Sequence, residues 1–161
     1  MTVGTQLTAP LRYLGLAKTA AYERSLALLD QAGVERPEDT FMSYPHQLSR
    51  VVAQRVHIAA SLAGKPDLVV ADNPTDSLDE SESSDILDLL RTLQRDNGLT
   101  MIMVTRSISV AALTCHRVAV FQAGSIVEYA SIADLFGSPK HPYTRELLCA
   151  EQNQWAGSPA L

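Results

Sequence analysis

The chain has 161 residues, 46% hydrophobic and 19% charged, with a formal net charge of -5. That composition describes a globular chain of one domain, or a piece of a larger one, and excludes a disordered segment. Basic residues are scattered singly, which excludes a nucleic-acid footprint, and two cysteines, Cys115 and Cys149, exclude a disulfide-dense scaffold and point to a reducing compartment.

Residues 7–33 read as helical. Tyr22, Leu26 and Leu29 fall at i, i+4 and i+7, one helix face, and Gly33 is a natural stop. Residues 34–44, with Pro37 and Asp39, read as a loop. A second helix is expected from Ser49 through Ile58 and Leu62 to Gly64, where Gly64-Lys65-Pro66 breaks it. Three continuous apolar runs follow: Leu68 to Ala71, Met101 to Val104 and Val118 to Phe121. Continuous rather than alternating runs predict strands buried on both faces, as in parallel sheets covered by helices. Between the first two, Ile86, Leu89, Leu90 and Leu93 form a helical stripe, and residues 107–114 suit a short crossover helix. Ile126 to Tyr129 reads as a last strand, hairpinned to the third through Gln122-Ala123-Gly124. Ser131 to Phe136 and Pro142 to Glu151 read as closing helices, followed by a frayed tail from Asn153 to Leu161. No run reaches the roughly 18 apolar residues of a spanning helix. The first ten residues, MTVGTQLTAP, carry no signal-peptide pattern. The expectation is a cytoplasmic chain without direct membrane insertion.

Strand–helix–strand alternation argues for an α/β layer, with helices and no strand in the first 65 residues. Leu68 to Asp72 is an apolar run ending in a carboxylate, which at the carboxyl end of a sheet strand can serve Mg²⁺ or be an ordinary turn residue. The stretch Asp72-Asn73-Pro74-Thr75-Asp76-Ser77-Leu78-Asp79 resembles the Walker B and D-loop of ABC ATPases, D-E-P-T-x-x-L-D. Tyr44-Pro45-His46-Gln47-Leu48-Ser49 and Gln54-Arg55-Val56 resemble the Y-P-H-x-L-S-G-G-Q-x-Q-R-V signature region. Val104-Thr105-Arg106-Ser107 occupies the switch-histidine loop. His141-Pro142-Tyr143-Thr144-Arg145-Glu146-Leu147-Leu148 is similar to the H-P-Y-T-x-x-L-L element of oligopeptide and dipeptide importers.

The resemblance implies an α/β fold: the C-terminal part of a P-loop-type ABC nucleotide-binding domain, a helical subdomain plus a partial, mostly parallel sheet with flanking helices. Residues 1–65 would be the helical subdomain, 66–130 the partial core and 131–161 the closing helices and tail. It implies an ATP-binding subunit that couples ATP binding and hydrolysis to peptide uptake. Its cofactors would be ATP and Mg²⁺, and its partners a permease subunit and a second ATP-binding subunit. The chain would then sit at the inner face of the cell membrane through that permease.

The resemblance assigns Asp72 to Mg²⁺ and Asn73 to the position of the catalytic Glu. Arg106 takes the place of the switch His. Ser49, Arg50, Val51, Val52, Gln54, Ser77 and Asp79 fall at nucleotide-facing positions. Three departures bear on the chemistry. Asn73 is a neutral amide and cannot take a proton. Arg106 can donate to a phosphate but lacks the acceptor of a neutral imidazole. Arg50 and Val51 stand where the signature has glycines that let backbone N–H groups approach a phosphate. Nothing in the chain matches G-x-x-x-x-G-K-S/T, so the half with the Walker A loop is expected to be missing and the chain to be inactive. Ordinary readings stand beside these: Ser49 as a helix cap, Arg106 as a solvated loop arginine. The alternative function is a non-catalytic module docking on a permease or on an intact ATPase.

Overall fold

The computed structural model describes residues 1–156, in two compact units that divide after residue 102. The first unit opens with α1 (Val3–Tyr13) and α2 (Lys18–Gln31), then α3 (Pro37–Met42), the 3-10 turn Pro45–Gln47 and α4 (Arg50–Ser61). β1 (Leu68–Asp72) and α5 (Glu80–Asn97) follow, and the unit ends within β2 (Thr100–Val104). β1 and β2 are neighbours in a two-stranded sheet.

The expected single helix over 7–33 is two helices. Gly15 breaks it with a left-handed φ of +93°, a conformation nearly free for glycine and costly for other residues. The buried face of α2 is Ala21, Ser25, Leu28 and Leu29, which keeps Leu29 of the expected stripe but replaces Tyr22 and Leu26 by Ala21 and Ser25. Tyr22 is instead exposed, and its ring meets Phe41 edge-on at 5.0 Å. Nor are residues 34–44 wholly loop. Pro37 at the first turn of α3, followed by Glu38 and Asp39, is a helix start, because proline loses no needed N–H there and carboxylates favour the positive helix end. Gly4 on α1 lets the Phe41 ring approach so closely that an added Cβ would lie 2.3 Å from it.

α1, α2 and α4 bury Val3, Leu7, Leu11, Leu28, Leu29, Val56 and Ala59 among themselves. Arg55 donates from its guanidinium to the carbonyl of Ala32, at 3.0 Å, and so satisfies an orphan acceptor at the end of α2. α5 has a capping box. The Asp79 carboxylate accepts from Glu82 N–H at 2.8 Å, and Glu82 accepts from Asp79 N–H at 3.1 Å. Ile86, Leu87, Leu90 and Leu93 form its buried face, and Gly98 closes it in the left-handed conformation.

The two-sided burial expected of the apolar strands is not found in β1 and β2. Leu68 and Val70 are 48% and 61% exposed, Ile102 and Val104 51% and 48%, whereas Val69 is buried. Alternation places Leu68 with Val70, and Ile102 with Val104, on one face of their strand. Among the described residues these four side chains stay about half exposed or more.

The second unit holds α6 (Ile108–Thr114), β3 (Arg117–Gln122), β4 (Ser125–Ser131), α7 (Ile132–Gly137) and α8 (Pro142–Ala156). β3 and β4 are an antiparallel hairpin with Gln122 opposite Ser125. Its two loop residues, Ala123 and Gly124, both have positive φ, as the tight primed turns require. Ile108, Val120, Leu135 and Leu148 make the core. The tail expected to fray from Asn153 is helical as far as Ala156, the end of α8, and residues 157–161 lie outside the described residues.

Glu128, in the middle of β4, is buried. Its two carboxylate oxygens accept from the backbone N–H groups of Lys140 and His141, each at 2.9 Å, at the entry to α8. The Lys140 amide, the Thr144 hydroxyl and the His141 amide together outweigh burial and lower its pKa from 4.5 to about 2. A lowered carboxylate pKa contributes stability above the ordinary value and loses it as pH falls through the folded one. Between pH 4.5 and 2 the packing of α8 should therefore weaken in the wild type. Near-UV circular dichroism is expected to show that transition, and to show it flattened in Glu128→Gln, which starts less stable at neutral pH. A Glu128→Gln acid profile superimposing on wild type would refute the assignment.

Candidate functional site

β1 delivers Asp72 to its carboxyl end, and the loop that follows, 73–79, turns twice. Asp76 N–H donates to the Asn73 carbonyl at 3.1 Å and Leu78 N–H to the Thr75 carbonyl at 3.2 Å. Asn73 and Ser77 hold left-handed φ values of +46° and +70°. Asparagine tolerates that region better than most non-glycine residues. Asp72 is exposed, and its Oδ1 accepts from the Asn73 side-chain amide at 2.8 Å. The side chain at the position that the resemblance assigns to the catalytic Glu is thus a donor engaged with the neighbouring carboxylate. Asp79 lies further on as the cap of α5, with one oxygen already accepting from Glu82 N–H.

Ser49 caps α4, its hydroxyl accepting from Val52 N–H at 3.3 Å. Arg50 opens the helix and donates from its guanidinium to the Ser77 carbonyl at 3.3 Å. That bond brings the signature position and the 73–79 loop together within one unit. Val51, Val52 and Gln54 are half-buried on the first turns of α4. Ahead of them Tyr44 stacks on His46 at 5.6 Å, and Tyr44 N–H donates to the Gln47 side chain at 2.7 Å.

Arg106 belongs to the second unit and is exposed, in the loop between β2 and α6. Thr105 Oγ1 accepts from Ser107 N–H at 3.1 Å, and the Ser107 hydroxyl caps α6 by accepting from Val110 N–H at 3.2 Å. The H-P-Y-T element starts α8, where His141 Nδ1 accepts from Tyr143 N–H at 3.2 Å.

Mg²⁺ takes hard oxygen ligands, one or two of them carboxylates, with phosphates and water completing an octahedron. Asp72 offers one carboxylate with one oxygen already accepting a hydrogen bond. Among the described residues no group of three or more His, Cys, Asp or Glu side chains could hold a metal. These residues do not form a Mg²⁺ site by themselves. Among the described residues, no helix is long and apolar enough to cross a membrane.

Several contacts around these positions were not readable in the sequence. Arg55 sits in the Q-R-V motif, yet its guanidinium closes α2. Glu128 did carry a signal, a charge inside the apolar run Ile126 to Tyr129. Glu151 carried none, because its partners lie 42 and 43 residues earlier.

No protein-family profile matches the chain. It is 41% identical over 149 residues to the oligopeptide transport ATP-binding protein OppD of Lactococcus lactis, covering 92% of this chain and 44% of that protein. It is 40% identical over 148 residues to the dipeptide transport ATP-binding protein DppD of Haemophilus influenzae, covering 91% and 45%. The chain thus spans less than half the length of the curated relatives it matches. Among solved structures it is similar to a dimeric ATP-binding cassette in a post-hydrolysis state with ADP and Pi, with a TM-score of 0.71 and 30% identity over 82% of this chain and 57% of that one. The fold also matches cbiO1 of Clostridium perfringens, part of an ABC transporter complex, with a TM-score of 0.74 over 95% of this chain and 57% of that one. Its α/β fold is therefore that of part of an ABC cassette, and over the stretch it spans the chain is similar to the ATP-binding subunits of peptide importers.

Proposed function

We propose that the chain is the C-terminal part of an ATP-binding subunit of an ABC-type peptide importer. In that reading it sits at the cytoplasmic face of a permease beside a second ATP-binding subunit and does not hydrolyse ATP by itself. The observation that carries its inactivity is the Asn73 amide donating to the Asp72 carboxylate at 2.8 Å, an engaged donor at the position of the family's catalytic Glu. Without a carboxylate there the attacking water has no general base, a contribution of about 10²–10⁴ in rate. The ordered motifs from Tyr44 to Leu148 and the relatives' names support the importer assignment. Any nucleotide and its Mg²⁺ would depend on phosphate ligands from a partner. The second reading, a non-catalytic module that docks on a permease or an intact ATPase, is favoured by the uncovered apolar residues of β1 and β2.

Co-expression of the chain with a peptide-importer permease and an intact ATP-binding subunit, followed by affinity purification through the permease, tests both. Retention of the chain at a stoichiometry near that of the permease is expected. Retention of the intact subunit without the chain would overturn the importer assignment. ATP turnover that rises in proportion to bound chain would overturn its inactivity.

A further inference from the structure

The loop carrying Arg106 ends at α6, a helix of seven residues. The first N–H groups of any helix lack acceptors within it, and a helix this short does not hold itself together. Here each of four successive amides has a side-chain acceptor. Ser107 N–H donates to Thr105 Oγ1 and Val110 N–H to Ser107 Oγ. These two bonds are internal to the loop and move with it. The other two go elsewhere: Ile108 N–H donates to Glu151 Oε1 at 2.7 Å and Ser109 N–H to Glu151 Oε2 at 2.8 Å. The Ser109 hydroxyl donates to the same Oε2. Glu151 lies on α8, three residues after Leu148, whose side chain packs with Ile108 in the core of this unit. One turn of α8 thus presents an apolar group to Ile108 and then a carboxylate to the start of α6.

We propose that Glu151 is the positioning residue of the Arg106 loop, its carboxylate clamping Ile108 and Ser109 from α8 and so fixing the backbone that presents Arg106. The functional weight of this rests on the assignment of Arg106 to the switch position. A carboxylate is the right acceptor for three reasons. Bonds to an ionised oxygen are shorter and stronger than neutral ones. Its charge complements the positive end of α6. Its two oxygens match two successive amides, which a hydroxyl cannot do. Burial opposes ionisation of Glu151, but the Ser109 and Ser107 hydroxyls and the Ile108 and Ser109 amides outweigh it and hold the carboxyl below its usual range. Any displacement of α8 would release the Arg106 loop.

The test uses the whole chain with Glu151→Gln and Glu151→Ala. Two readouts are local: the amide proton shifts of Ile108 and Ser109, and the rate of tryptic cleavage after Arg106. Cleavage after the exposed Lys18, in the first unit, reports general loosening. Glu151→Gln keeps the size of the side chain but loses the charge and one acceptor. It is expected to move both amide protons upfield and to speed cleavage after Arg106 about fivefold to tenfold, with Glu151→Ala faster still. The Lys18 rate should not change. If Glu151 served only as packing, the isosteric Gln would restore wild-type shifts and cleavage, and that result would overturn the proposal. Should Glu151→Gln loosen the whole chain, with Lys18 rising in parallel, Glu151→Asp decides. Amide shifts closer to wild type than those of Glu151→Ala support the clamp, and shifts equal to those of Glu151→Ala overturn it. Neither readout involves nucleotide or permease, so failure of the importer reading leaves the outcome legible.

Discussion

Mixed with excess MgATP, the chain by itself is expected to release no phosphate above the buffer rate and to show no micromolar nucleotide binding. The phosphate-cradling pattern G-x-x-x-x-G-K-S/T does not occur in the chain, and that loop supplies most backbone donors to the phosphates in P-loop proteins. What is present compensates poorly. Asp72 shares one oxygen with the Asn73 amide. The first turn of α4 closes on itself through Ser49 and Val52, and Arg50 is turned to the Ser77 carbonyl. Asn73→Glu is expected to leave turnover at zero, because positioning and electrostatics dominate phosphoryl transfer and one carboxylate has no positioned substrate to act on. The replacement also removes an asparagine from a left-handed position, at a cost on the order of 1 kcal/mol. Labelled-ATP equilibrium binding and a phosphate-release assay measure these outcomes. Micromolar affinity of the chain, or clear turnover by Asn73→Glu, would show that the residues present assemble a site without a phosphate loop.

The second large effect is on association. Leu68, Val70, Ile102 and Val104 present apolar side chains to water from two neighbouring short strands. Covering such surface is worth roughly 25 cal/mol per Å², so a few hundred Å² amount to several kcal/mol, comparable with the net stability of a whole domain. The purified chain should therefore elute as dimers or larger species, with a mass that rises with concentration, and unfold with a shallow urea transition. Val70→Lys and Ile102→Lys each replace an exposed apolar side chain with a charge, and are expected to shift the population toward monomer at little cost to the fold. Size-exclusion chromatography with light scattering reads the result. A monodisperse wild-type monomer with a steep transition would mean that the exposed strand faces are not adhesive and that the chain is closed on its own.

Much of the fold was legible because it is local. The stripe through Ile86, Leu90 and Leu93 and the Ser49 cap are properties of neighbouring residues, and so are the apolar runs that became β1 to β4. The division of residues 3–31 at Gly15 was missed because glycine is tolerated inside a helix and Leu14 and Leu16 continue an apolar pattern. α3 is not legible because Pro37 and Asp39 equally suit a loop, although proline at a first helical turn is an initiator.

The ordered motifs at 44–56, 72–79, 104–107 and 141–148 are legible in the sequence as a resemblance to the ABC ATPases, and so are the residue types at Asn73 and Arg106. What those residues touch is set by the tertiary structure. It turned the Asn73 amide onto Asp72, set Arg50 against Ser77 across 27 residues, and brought Glu151 to the start of α6 across 42. Leu68, Val70, Ile102 and Val104 are exposed in it where the apolar runs imply cover on both faces. The physical reason is the same in each case. Helix and strand periodicity are set by bonds between near neighbours in the chain, whereas burial and hydrogen-bond partnership depend on which distant segments arrive at the same place.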